Sequence, residues 1–222
     1  MYGSPQLRNQ RYVAGPTVST PALLGQVLGI VGAGFLVSSA TAYFSGNLPY
    51  GFSLIALLVG FGFLIGVRAA RGNPGLSLLM FYAFAGCEGI GLGPVIANYA
   101  RIDGPAVVVD AAATTGLGML TLAAVVYLTS FDFRRLSGIA FGALIVLVIV
   151  GLISAFTHFL HPGAYAWATL GVFTLITLVD FARIKAGNSG ATAVELATSI
   201  YLDAVNIFLA LLEIFGARGR RD

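Results

Sequence analysis

A chain of 222 residues that is 58% hydrophobic and only 9% charged, with a mean hydropathy of +0.91, has too little polar surface for a soluble domain and reads as an all-α integral membrane protein. The formal net charge of +3 does not mark a nucleic-acid binder, because the basic residues stand at the edges of apolar runs rather than in one cluster. A lone cysteine, Cys87, inside an apolar run excludes an intrachain disulfide and a thiolate metal site.

Residues 1–21, rich in Gly, Pro, Ser, Gln and Arg, cannot bury a core and are expected to form a mobile polar tail. The apolar run after it is too long for a signal-peptide core and reads as a first span over 22–44. Turn-forming residues 45–49 lead to a second span over 50–67, which stops at Arg68, Arg71 and Pro74. A third span over 75–99 carries the glycine-rich stretch 86–94 and is expected to bend at Pro94. Past Arg101, Asp103 and Pro105, a fourth span over 106–128 holds a run of small residues, 111–118, suited to close helix packing. A loop with Asp132, Arg134 and Arg135 leads to a fifth span over 137–157, and His158, His161 and Pro162 form the next turn. The sixth apolar run, 163–181, is followed by Arg183 and Lys185; Gly187 and Gly190 then lead into a final helix that stops at Gly216, before a short basic tail over 217–222.

Each span of roughly 20 residues crosses a hydrocarbon layer of about 30 Å, so a seven-transmembrane-helix domain over 22–216 is expected. Arg8, Arg11, Arg68, Arg71, Arg134, Arg135, Arg183 and Lys185 fall on the N-terminal side of the spans, against Arg101 on the other. The N-terminus is therefore expected in the cytoplasm. Compact loops and no targeting signal point to a prokaryotic plasma membrane. Arg218, Arg220 and Arg221 oppose the pattern if the last helix crosses fully, whereas a re-entrant helix would return them inside. Seven full crossings is the favoured arrangement.

The residues able to carry chemistry cluster late in the chain. At 100° per residue, Ser199, Asp203, Asn206 and Ala210 share one narrow face of an otherwise apolar helix. Asp180, near the end of the preceding span, is the nearest polar partner in sequence. Carboxylates inside lipid-embedded helices are costly unless paired, so they mark a bundle interior, a cavity or a pathway. Two readings stand: Asp180 pairs locally with Arg183 while Asp203 hydrogen-bonds a neighbouring helix, or the two aspartates share one proton and act as a switch. Counted from their shared edge, Asp180 lies roughly 9 Å deep and Asp203 roughly 16 Å, a gap of about one helical turn. Glu88 and Asn206 are further pathway candidates, with a hydrogen-bonded packing role as the alternative for Glu88. Asp110 and Glu213 read as interfacial, Glu195 as a first-turn carboxylate suited to the helix dipole, and His158 and His161 as solvated loop histidines.

The segment Val179-Asp180-Phe-Ala-Arg-Ile184, followed by Ser199-Ile-Tyr-Leu-Asp203-Ala-Val-Asn206-Ile-Phe and its apolar run to Gly216, resembles the closing signature of the Bax inhibitor-1 (transmembrane Bax inhibitor motif) family. Phe84-Ala-Gly-Cys-Glu88-Gly-Ile-Gly-Leu-Gly-Pro94 is similar to that family's third span. The resemblance implies a seven-helix bundle wrapped around its C-terminal helix and a pH-sensitive calcium leak. It assigns Asp180 and Asp203 as the proton sensor and gate, with weak calcium contacts, and Arg71 as a latch, Arg68 being the alternative. An Arg71 to Asp180 salt bridge would then tie the second helix to the sixth, and protonation would release it.

Two function classes follow. One is a proton-gated calcium leak, for which the partners are the bilayer, calcium ions and protons, with calcium as permeant ion and no cofactor. The other is a membrane interaction protein that regulates a membrane protease or a cell-death regulator, a role attributed to members of the family. Enzymatic activity is not expected: the Gly-x-Gly-Asp element of intramembrane aspartyl proteases is missing, because Asp180 follows Thr177-Leu-Val.

Overall fold

The computed structural model describes residues 20–157, 160–187 and 190–219. Nearly all of the expected polar tail, His158 and the arginine side chains beyond Gly216 lie outside that description. Among the described residues the chain forms seven long helices and no strand: α1 (Thr20–Ser45), α2 (Tyr50–Ala69), α3 (Pro74–Ile102), α4 (Pro105–Leu128), α5 (Ser137–Thr157), α6 (Pro162–Ala186) and α7 (Ala193–Gly219), with a single 3-10 turn at Phe133–Leu136 before α5. All seven are long and apolar enough to cross a membrane.

The helix ends are set by local chemistry. Proline opens α3, α4 and α6, where its missing N–H costs no helical hydrogen bond. Asn73 caps α3 by accepting the Leu76 N–H at 3.1 Å. His161, exposed as expected of a loop histidine, also caps α6: its Nδ1 accepts the Gly163 N–H at 3.1 Å. Gly187, with φ of 68°, closes α6 in the left-handed region that glycine adopts without strain. Lys185, on the last turn of α6, donates Nζ to the carbonyls of Val126 and Thr129, both at 2.8 Å, and so fastens α6 to the end of α4. α3 runs unbroken through Pro94 and reaches Ile102, three residues past the expected end.

α7 is the centre. In its most apolar stretch 61% of residues are buried, against 11% in the stretch that includes α5. It packs against α1, α2, α3, α4 and α6, whereas α5 leans on α6 at the outside. Lipid is as apolar as leucine, so van der Waals fit has to hold such helices together. Two features supply it. Tyr201 of α7 is fully buried among Phe35, Phe81 and Phe84, with ring centroids at 4.9, 5.5 and 5.8 Å. On α3, Gly89 and Gly93 face α1 while Gly91 faces Leu57 of α2: a Cβ at Gly89 would sit 2.2 Å from the Ser38 carbonyl oxygen, and one at Gly91 2.4 Å from Leu57. The glycine stripe therefore lets α3 lie between α1 and α2 at backbone contact.

α7 also decides the crossing question. It begins beside Arg71, next to the start of α3, and ends where Glu213 and Gly216 meet Tyr99 and Asp103 at the far end of α3. The helix thus traverses the full thickness of the bundle and is not re-entrant.

Candidate functional site

Asp180 and Asp203 are both buried, at 4% and 3% exposure, where α6 and α7 meet. The charge of Asp180 acts on Asp203. The offset in depth is resolved by two hydroxyls. Counting about 1.5 Å per residue from the ends of α6 and α7 at the arginine-rich face, Asp180 and Ser199 both lie about 9 Å deep. Thr177 and Asp203 lie roughly 14 and 15 Å deep by the same count. Ser199 faces Asp180, and Thr177 faces Asp203. The four side chains form a parallelogram with the carboxylates on one diagonal, each level with a hydroxyl of the opposite helix.

The two acids differ in their partners. Asp180 accepts a hydrogen bond from Arg183 at 2.8 Å, the residue one turn nearer the surface on the same helix, whose side chain is 46% exposed. Asp203 has no ion pair among the described residues and feels Arg183 only at a distance. Thr177 Oγ1 spends its proton on the Phe173 carbonyl at 2.7 Å, and Asp203 Oδ2 is left buried with no hydrogen-bond partner among the described residues. Such an orphan is costly inside a protein, and where one persists it asks for an explanation such as a proton or an ion.

The expected Arg71 to Asp180 bridge is not formed. Arg71 instead holds Glu195 at 3.5 Å and donates to the Gly190 carbonyl, so it latches the end of α2 to the start of α7. The reason is depth. Arg71 lies in the turn beyond α2, level with the first turn of α7, while Asp180 is more than a turn inward and is satisfied by its own i+3 neighbour. Glu195 is held in place by a reciprocal cap: the Thr192 N–H donates to Glu195 Oε2 at 2.7 Å, and the Glu195 N–H to Thr192 Oγ1 at 3.2 Å. The Thr-x-x-Glu spacing of Thr192 to Glu195 is the sequence signal of this box. Arg68 lines the same region, and its side chain has no ion pair or hydrogen bond among the described residues.

The other two candidates do not join the pair. Asn206 turns its amide back to its own helix, donating to the Leu202 carbonyl at 2.8 Å. Glu88 acts on Tyr201, which is 200° round α7 from Asp203, so Glu88 belongs to the α3 side of the central helix.

A cleft of about 820 Å³ leads inward from the arginine-rich face. Arg68, Arg71, Arg183 and Glu195 line its outer part, and Ser199 and Leu202 its inner end. It therefore reaches the hydroxyl that faces Asp180, with Asp203 one turn further along α7.

The family described as inhibitor of apoptosis-promoting Bax1 matches residues 20–220, every helix included. The chain belongs to this Bax inhibitor-1 family. Among similar family proteins is an uncharacterized membrane protein of Vibrio cholerae, 30% identical over 194 residues, which covers 84% of this chain and 86% of that one. A second is the modulator of FtsH protease YccA of Escherichia coli K12, 31% identical over 170 residues, 75% of this chain and 76% of the relative. The counterpart in another Escherichia coli strain, with the same identity and coverage, carries the name inner membrane protein YccA. The seven-helix bundle with a central last helix is thus the architecture of a bacterial-type Bax inhibitor-1 protein, with its two buried aspartates on α6 and α7.

Proposed function

We propose that this protein is a proton-gated calcium leak of a bacterial inner membrane, with its arginine-rich face in the cytoplasm and the Asp180–Asp203 pair as the switch. The observation that carries this reading is the orphaned Asp203 Oδ2, buried at the end of a polar line that runs from the cleft through Ser199 and Asp180. Two carboxylates and two hydroxyls offer too few oxygens for a tight calcium cage, which takes six or more, and suit a weak site that an ion can leave. With Asp180 ionised, Arg183 is held across this line and repels a cation. A proton on the pair releases Arg183 from Asp180 to swing outward, away from the line, so acid opens the path. No enzymatic step is assigned to it.

The test is calcium entry into dye-loaded liposomes holding the purified protein, between pH 6 and pH 8. Wild type is expected to pass more calcium at pH 6. Asp203→Asn and Asp180→Asn should flatten the pH dependence, and Arg183→Gln should raise flux at pH 8. An unchanged pH profile in both aspartate variants would sink the switch.

A second reading is favoured by the name of the Escherichia coli relative, a modulator of a membrane protease. On that reading the chain binds a membrane protease and passes no ions. Folded protein that gives no flux above empty liposomes, yet co-purifies with the protease, would put this reading first.

A further inference from the structure

The cleft at the arginine-rich face carries more positive charge than the aspartate switch accounts for. Three guanidiniums line it, from Arg68, Arg71 and Arg183, against one lining carboxylate, Glu195. Glu195 answers Arg71, and Asp180 answers Arg183 from behind the wall, which leaves Arg68 as a cation in excess among the described residues. Below the arginines the walls turn apolar: Leu64 and Ile65 of α2 lie about one turn deeper than Arg68, and Leu202 of α7 lies deeper still. Ile65 is 57% exposed, on the face that meets lipid. Charge therefore sits at the ends of the spans and apolar surface within them, the order in which a phospholipid presents its phosphate and its chains.

We propose that this cleft seats a phospholipid of net negative headgroup from the adjoining leaflet, its phosphate held by Arg68 with Arg71 and Arg183 and its acyl chain laid along Ile65 and Leu202. Guanidinium groups suit this because their planar forks meet phosphate oxygens two at a time. The volume, about 820 Å³, is within the range of ligand pockets and exceeds what a bare phosphate needs. A zwitterionic lipid carries its own cation and has no use for the excess at Arg68. A free phosphate would fill the arginine end and leave the apolar wall idle. The assignment shares the cleft and Arg183 with the calcium reading, and its test reads binding rather than flux, so either can fail without the other.

The test is native mass spectrometry of the purified full chain in neutral detergent, with dioleoyl phosphatidylglycerol, dioleoyl phosphatidylcholine or inorganic phosphate added at equal concentration. Phosphatidylglycerol adducts are expected to survive at activation energies that strip phosphatidylcholine. Arg68→Gln should weaken their retention about tenfold, Arg68→Lys less, and Arg101→Gln at the opposite end not at all. Equal retention of the two lipids, or equal loss in the Arg68 and Arg101 variants, would overturn the site. Inorganic phosphate that displaces phosphatidylglycerol at equal concentration would overturn the lipid and leave a soluble-anion site. Arg68 is exposed and supports no packing, so folded protein is expected in each variant, checked by helical circular dichroism.

Discussion

Two aspartates in one bundle are not equivalent, and their neighbours say how. Asp180 has Arg183 and Ser199; Asp203 has a threonine whose proton is already given away. Removing the charge at each should therefore act with opposite sign on stability. At pH 8, Asp203→Asn relieves the charge that faces Asp180 and is expected to raise the melting temperature in detergent by about 2–4 °C, the effect of roughly 1 kcal/mol in a chain of this size. Asp180→Asn trades an ionic hydrogen bond for a neutral one and should lower it by a similar amount. Differential scanning fluorimetry of the two variants side by side checks this, and a fall in both would mean that Asp203 is paired after all. The aspartates themselves were legible in the sequence, since a carboxylate on a narrow polar face of an apolar helix has few explanations. Ser199 was legible on that same face, but its pairing with Asp180, and that of Thr177 with Asp203, were not, because these become partners only when two helices are set at a particular depth.

At the scale of the helix, the glycine stripe of α3 is the most demanding element. Gly89 and Gly62 look alike in sequence, yet a Cβ on Gly89 would meet the backbone of α1, and one on Gly62 would meet nothing within 4 Å. Gly89→Ala is expected to destabilise by about 1–3 kcal/mol, since a carbonyl oxygen in a neighbouring helix cannot step aside as a flexible side chain can. Gly62→Ala should be near neutral. Thermal unfolding of the pair separates the two outcomes, and equal melting temperatures would show that α1 and α3 can part without loss. The seven spans were legible because apolar length and Pro, Gly and Arg at the ends are local signals. The partner of Arg71 was not: choosing Glu195 over Asp180 requires the register between α2 and α7, which no local pattern carries.

Over the whole molecule, the course of α7 fixes sidedness. It begins at Arg71 and ends at Asp103, so its C-terminal end lies on the face of the α1–α2 and α3–α4 turns, opposite Arg68 and Arg183. In a Cys87→Ala background, Ala217→Cys and Asn47→Cys are expected to react with an impermeant maleimide from one side of the membrane, and Gly72→Cys and Ser130→Cys from the other. Labelling of Ala217→Cys together with Gly72→Cys would contradict the full crossing. The sequence count of arginines pointed both ways here, because a late basic cluster is a weak topological signal beside a helix that the core cannot do without.

The helix that fills the centre follows, in chain order, the five that pack on it and α5 outside them. Until it arrives, those six have a groove where Tyr201 and its aromatic partners will sit, and nothing of their own to put there. The bundle is therefore expected to stay incomplete until α7 is in place. A nonsense codon anywhere before Ala193 removes not the edge of this protein but its axle.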